Sequence, residues 1–181
     1  MTVTDAQTMS PDVVIGVAVP VPEPWGDHLR NLRVGYGEGR ARHIPTHITL
    51  LPPTRLGSTT TDEVREHLTT VAARHPAFEV ILRGTGTFRP VSEVVFVQVA
   101  QGVASCEQLE LEVRTGPLAR ELQFPYHPHV TLAHDLAPQV LDRAFRDLAG
   151  FHCTFQVDAF RLYAHGGDEL WAPLEDFPLT G

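Results

Sequence analysis

Apolar and polar positions along the chain follow two periods. Residues 13–19 form a continuous apolar run, the pattern of a strand buried on both faces, closed by prolines at 20, 22 and 24. Trp25, Leu29 and Leu32 then share one helical face, and the spacing predicts a short helix that stops near Gly35. Residues 44–51 read as a strand ended by Pro52-Pro53. Thr60-x-x-Glu63 is a capping box, opening a helix with Val64, Leu68, Val71 and Ala72 on one stripe. Residues 78–88 and 94–100 read as two strands joined by a turn around Arg89-Pro90.

The second half repeats this order. Ser105-x-x-Gln108 reads as the cap of a helix that Gly116-Pro117 interrupts. Residues 128–133 read as a strand, and Val140, Leu141, Ala144, Phe145 and Leu148 form the next helical stripe. Residues 155–164 read as one strand, Gly166-Gly167 as a turn and 170–174 as a last strand. Helix, strand, helix, strand, turn, strand thus recurs with a period of about 80 residues, a weak internal repeat. Strands and helices mix without the strict alternation of a doubly wound sheet, so the expected class is α+β. Residues 1–11 are polar and expected to be disordered, leaving 12–181 as a single domain.

Composition narrows the chemistry. Hydrophobic content of 43% and charged content of 20% are ordinary for a globular protein. The formal net charge is −8, so no global basic field draws in long nucleic acid. All 14 basic residues are arginine, which excludes Schiff-base chemistry and any P-loop lysine. Cys106 and Cys153 form no metal or redox motif and are expected as free thiols in a reducing compartment. The apolar run at 13–21 is too short to span a bilayer and has no cleavage signature. The expectation is a cytoplasmic monomer with no membrane partner.

The tetrapeptide His-x-Thr-Leu occurs twice, as His47-Ile48-Thr49-Leu50 and as His129-Val130-Thr131-Leu132. Each copy lies in a predicted strand, at matching places in the repeat. Side chains alternate along a strand, so His47 and Thr49 share one face and Ile48 and Leu50 the other. The same holds for His129 with Thr131, and for Val130 with Leu132. The apolar pairs suit a core, and the polar pairs need a wet surface. If a pseudo-two-fold relates the halves, both polar pairs face one cleft. Two imidazoles then supply a general acid and a general base, and two hydroxyls supply donors to phosphate oxygens. That is sufficient to cleave a phosphodiester without a metal or cofactor.

With these motifs the chain resembles the 2H phosphoesterase superfamily, which includes 2′-5′ RNA ligase-like proteins and cyclic nucleotide phosphodiesterases. The resemblance runs from Val13 to Leu179. It implies a bilobal fold of two pseudo-symmetric lobes, each with an antiparallel-rich sheet and helices, around a central cleft. It also implies metal-free opening of 2′,3′-cyclic phosphates, with His47, Thr49, His129 and Thr131 as the catalytic residues. Where many RNA-directed members carry an arginine shortly after the second motif, this chain has Ala133-His134-Asp135. The first motif runs into Leu51-Pro52-Pro53 instead of a glycine-containing turn.

The expected mechanism has His129 as the base that activates water and His47 as the acid that protonates the leaving ribose oxygen. The reverse reaction would be a 2′-5′ ligation without ATP. His43 and His127 share strand parity with the motif histidines and are candidates for the cleft, as is His134. Tyr126 is a candidate for stacking on a base, Phe88 for a cleft wall, and Arg42 and Arg89 for phosphate contact. The expected partner is a small cyclic nucleotide or an RNA end bearing a 2′,3′-cyclic phosphate; the acidic charge disfavours long RNA. Two alternatives remain open. One is a metal hydrolase built on His127-x-His129 with His134 and Asp135. The other is a non-catalytic nucleotide- or RNA-binding module that uses the same cleft.

Overall fold

The computed structural model describes residues 13–166 and 170–181. The expected tail at 1–11 and Gly167 of the expected turn lie outside the described residues. The class is α+β, with two antiparallel four-stranded sheets. In chain order, β1 (Val14–Pro20), α1 (Trp25–Gly35), β2 (His47–Arg55) and α2 (Thr61–Ala72) are followed by β3 (Phe78–Thr87) and β4 (Val94–Gln101). Then come α3 (Val103–Val113), β5 (His129–His134), α4 (Pro138–Asp147), β6 (His152–Val157), β7 (Ala159–His165) and β8 (Trp171–Pro178). No helix among the described residues is long and apolar enough to cross a membrane.

The first sheet has the order β2-β1-β7-β8 and the second β5-β4-β3-β6. The sequence halves are therefore not the lobes. The first half sends β3 and β4 into the second sheet, and the chain's end returns β7 and β8 to the first. What recurs is strand, helix, motif strand, helix: β1-α1-β2-α2 and β4-α3-β5-α4. In both sheets the motif strand is at an edge, beside the strand that opens its repeat.

Several boundaries differ from expectation; β2 starts only at His47, and β8 runs on to Pro178. The strand expected at 155–164 is two strands in different sheets. Its buried positions change parity, from Cys153, Phe155 and Val157 to Phe160 and Leu162. A single strand cannot bury both sets on one face. The break at Asp158 is pinned where Leu179 N–H donates to the Asp158 carbonyl at 2.8 Å.

Pro52-Pro53 does not end β2, which continues to Arg55. The strand is an edge, and Val17↔Leu51 followed by Ile15↔Thr54 leaves an extra residue on β2. Prolines are tolerated at such a bulge on a sheet edge, where their missing N–H breaks no ladder. Ser105 does not cap α3; β4 turns directly into the helix at Gly102, and Ser105 lies inside it. The capping box Thr60/Glu63 forms as expected, with both reciprocal bonds present.

One continuous apolar core joins the sheets and helices, including Ile15, Val17, Leu29, Ile48, Leu50, Val130 and Leu132. Fully burying such a side chain contributes about 1.5–3 kcal/mol. Side-chain contacts also join the two halves of the fold. Tyr126 Oη donates to the Thr49 carbonyl at 2.9 Å, and an Arg120 Nη donates to Thr54 Oγ1 at 2.7 Å. On the other side, Tyr36 Oη donates to Asp147 at 3.0 Å, and Trp25 meets Phe151 edge-on at 6.2 Å.

Candidate active site

Both motif strands alternate in burial. Ile48, Leu50, Val130 and Leu132 are buried, while His47, Thr49, His129 and Thr131 are half-buried on the opposite face. β2 and β5 are edge strands of their sheets, and the two lie against each other.

The two histidines are wired alike. His47 Nδ1–H donates to the carbonyl of Pro45 at 2.6 Å, and His129 Nδ1–H donates to the carbonyl of His127 at 2.7 Å. A carbonyl only accepts, so each bond places the ring proton on Nδ1 and leaves Nε2 as the nitrogen able to exchange a proton. Each ring also has an aromatic neighbour. His47 stacks on Trp171, with centroids 5.0 Å apart and planes 24° apart. His129 meets Phe88 edge-on at 5.0 Å and Phe96 at 5.2 Å.

Burial pushes the His47 imidazole down from 6.5 to about 4. The Pro45 carbonyl partly opposes this, while the positive charges of Arg33 and of protonated His129 add to it. His129 is also lowered, first by burial and then by the neighbouring His127, against the pull of the His127 carbonyl. Both rings are therefore held towards the neutral form.

A cleft of about 720 Å³ is lined by His47 and Thr49 from the first motif and Thr131 from the second. His129 does not line this cavity. It stands beside it, near enough for its charge to act on His47. His134 and Asp135 also line the cleft, with His134 Nε2 3.2 Å from an Asp135 carboxylate oxygen.

The other candidates are placed differently. His43 ends a 3₁₀ turn, Gly39–His43, and is exposed outside the cleft lining. β2 begins only at His47, so strand parity does not reach His43. Tyr126 uses its hydroxyl on the Thr49 carbonyl. His127 is exposed, but its ring meets Phe88, Phe96 and His129, and its carbonyl orients His129. Arg89 is turned towards Asp142 at 2.8 Å, away from the cleft lining, and Arg42 is exposed outside it. Phe88 does not line the cleft; its ring packs edge-on against His129.

Several cleft residues were not anticipated from the sequence. Arg33 is 8% exposed and paired with Glu38 at 2.6 Å, and both line the cavity with Arg40. Trp171 lines it from β8. The pattern did hold a signal for Arg33: it follows Leu29 by one helical turn and so lies on the buried stripe of α1. Nothing local distinguished Trp171. Among the described residues, no three His, Cys, Asp or Glu side chains gather as a metal ligand set.

The chain is similar to known proteins in sequence and in fold. A family model described as the 2′-5′ RNA ligase superfamily matches residues 20–169. A protein of Oceanobacillus iheyensis, whose phosphoesterase name is itself provisional, is 26% identical over 168 residues, covering 91% of this chain and 96% of its own. The crystal structure of Escherichia coli LigT with NADP+ superposes with a TM-score of 0.61 at 25% identity, covering 94% of this chain and 99% of LigT. LigT with 3′-AMP gives 0.59 at 25% identity, covering 95% and 100%.

Proposed function

The chain belongs to the 2′-5′ RNA ligase superfamily, the 2H phosphoesterases, and from that premise we propose that it opens 2′,3′-cyclic phosphates of nucleotides or RNA ends by two-histidine acid–base catalysis. The observation that carries this reading is the twinned wiring of the motif histidines. Each Nδ1 is clamped by the carbonyl two residues earlier, and each Nε2 is left to move a proton. The LigT structures with 3′-AMP and NADP+ support a small nucleotide as the ligand.

His47 is the more suitable base, the reverse of the assignment expected from the sequence. Burial and the nearby Arg33 disfavour its charged form. Its neutral Nε2 takes a proton from water as the water oxygen attacks phosphorus. His129 Nε2, as imidazolium, gives its proton to the ribose oxygen leaving phosphorus. The product is a 2′- or 3′-monophosphate. An anionic phosphate between the rings favours the imidazolium form and so restores the acid's proton when substrate binds. Thr49 and Thr131 hydroxyls donate to the non-bridging oxygens as negative charge grows there.

The test is incubation with 2′,3′-cyclic mononucleotides in excess EDTA, followed by phosphorus NMR. Appearance of a monophosphate is the expected result. Saturable binding without turnover would replace catalysis with a nucleotide-binding role, and turnover abolished by EDTA and restored by zinc would replace it with a metal hydrolase.

A further inference from the structure

We propose that Trp171 is a positioning residue for His47: it rests on the bare backbone of Gly16 and holds the plane of the imidazole. The inference rests on the catalytic reading of His47 above.

The two residues start far apart in the sheet. Trp171 opens the edge strand β8 and pairs with His165, which pairs with Val14 at one end of β1. His47 opens the opposite edge strand β2 and pairs with Pro20 at the other end of β1. They occupy diagonal corners, yet their rings stack at 5.0 Å. The sheet has to curl its face inward, with the indole lying across the strands, for this contact to form.

Gly16 is what lets the indole lie there. A Cβ at Gly16 would stand 2.8 and 2.9 Å from two ring carbons of Trp171, closer than carbon atoms approach. Tyr163, at 5.5 Å and 62°, and His165, at 5.9 Å and 78°, bracket the indole edge-on from β7. Trp171 is thus held from several sides and presents one face to His47.

The second sheet holds a related arrangement, with the ring tilted 57° to the imidazole instead of stacked on it. A Cβ at Gly86 would stand 2.5 Å from the ring of Phe96, and Phe96 meets His129 at 5.2 Å. In each lobe an aromatic ring over a glycine backs the motif histidine. Ordinary core packing does not require that coincidence. The Nδ1 hydrogen bond fixes one atom of the imidazole and leaves the ring able to swing about it. A stacked ring fixes the plane, and the two constraints together aim Nε2. Misplacement of a catalytic group by about 1 Å can cost on the order of 10²-fold in rate.

The experiment compares Trp171→Leu, Trp171→Phe and Gly16→Ala with the wild type. Turnover of a 2′,3′-cyclic nucleotide is measured alongside nitrogen NMR of the imidazoles, with His47→Gln assigning the His47 signals and circular dichroism checking the fold. Trp171→Leu should lower kcat roughly 10- to 100-fold with KM nearly unchanged. Its His47 signals should show a mixture of ring tautomers, and their titration midpoint should move up towards the ordinary value as water reaches the ring. Gly16→Ala should reproduce these effects by displacing the indole, and Trp171→Phe should fall between it and the wild type. If Trp171→Leu does not fold, the other two variants decide by NMR. Raised KM with unchanged kcat would overturn the proposal in favour of a substrate-binding surface, as would unchanged His47 signals in both Trp171→Leu and Gly16→Ala. A wild type that turns over no cyclic phosphate would end the phosphodiesterase reading alone, because the NMR still reports whether Trp171 holds His47.

Discussion

Tyr126 donates its phenolic hydrogen to the main-chain carbonyl of Thr49 at 2.9 Å. The bond joins the approach to the second motif strand to the middle of the first. It spans the two sheets beside the cleft, so it fixes how far apart the two polar pairs stand.

Tyr126→Phe should therefore act on geometry and stability. Loss of one hydrogen bond, with the Thr49 carbonyl left to find another donor, should cost about 1–2 kcal/mol, read from the denaturant midpoint. Turnover should fall a few-fold for purine and pyrimidine cyclic nucleotides alike. A loss confined to one base would show that the ring contacts the base.

His47→Ala and His129→Ala should each lower kcat by roughly 10²–10⁴-fold, the usual worth of a general acid or base. The double variant should be little worse than either single one, because the two groups act as a unit. Thr49→Val and Thr131→Val should cost less, since each removes one neutral donor and leaves the other. Wild-type turnover in either histidine variant would remove that residue from the mechanism.

The depressed His47 pKa makes a prediction about acid stability. Folded His47 titrates at about 4 against an ordinary 6.5. Between these values the unfolded chain binds a proton that the folded chain refuses. This contribution to stability is present above pH about 6.5 and declines as pH falls to about 4, by at most roughly 1.4 kcal/mol per pH unit. His47→Gln should flatten that part of the stability curve, measured by denaturant titration at several pH values. Parallel curves for wild type and variant would contradict the assignment.

Salt should have little effect on a small substrate. The net charge is −8, lysine is absent, and the buried cleft arginine Arg33 is already paired with Glu38. KM for a cyclic mononucleotide should change only a few-fold between about 50 and 200 mM salt, as one or two phosphate contacts require. Long RNA should compete weakly; tight, steeply salt-dependent RNA binding would point to an arginine cluster that serves a longer strand.

The motif pairs, the Thr60/Glu63 cap and the α+β class were legible in the sequence because each is set by local backbone geometry. Alternation puts His47 with Thr49 and His129 with Thr131 on one face whatever the rest of the chain does. The partition of strands was not legible. Pairing between β1 and β7 or β4 and β5 depends on contacts distant in sequence, although the parity change at Asp158 marked where the chain leaves one sheet for the other. For the same reason strand parity misplaces His43, which precedes a strand that starts only at His47, and Arg89 is held by Asp142 instead of facing phosphate. Trp171 was invisible as a partner of His47. A curled sheet brings its diagonal corners together over Gly16, and only the tertiary structure decides which side chains meet there.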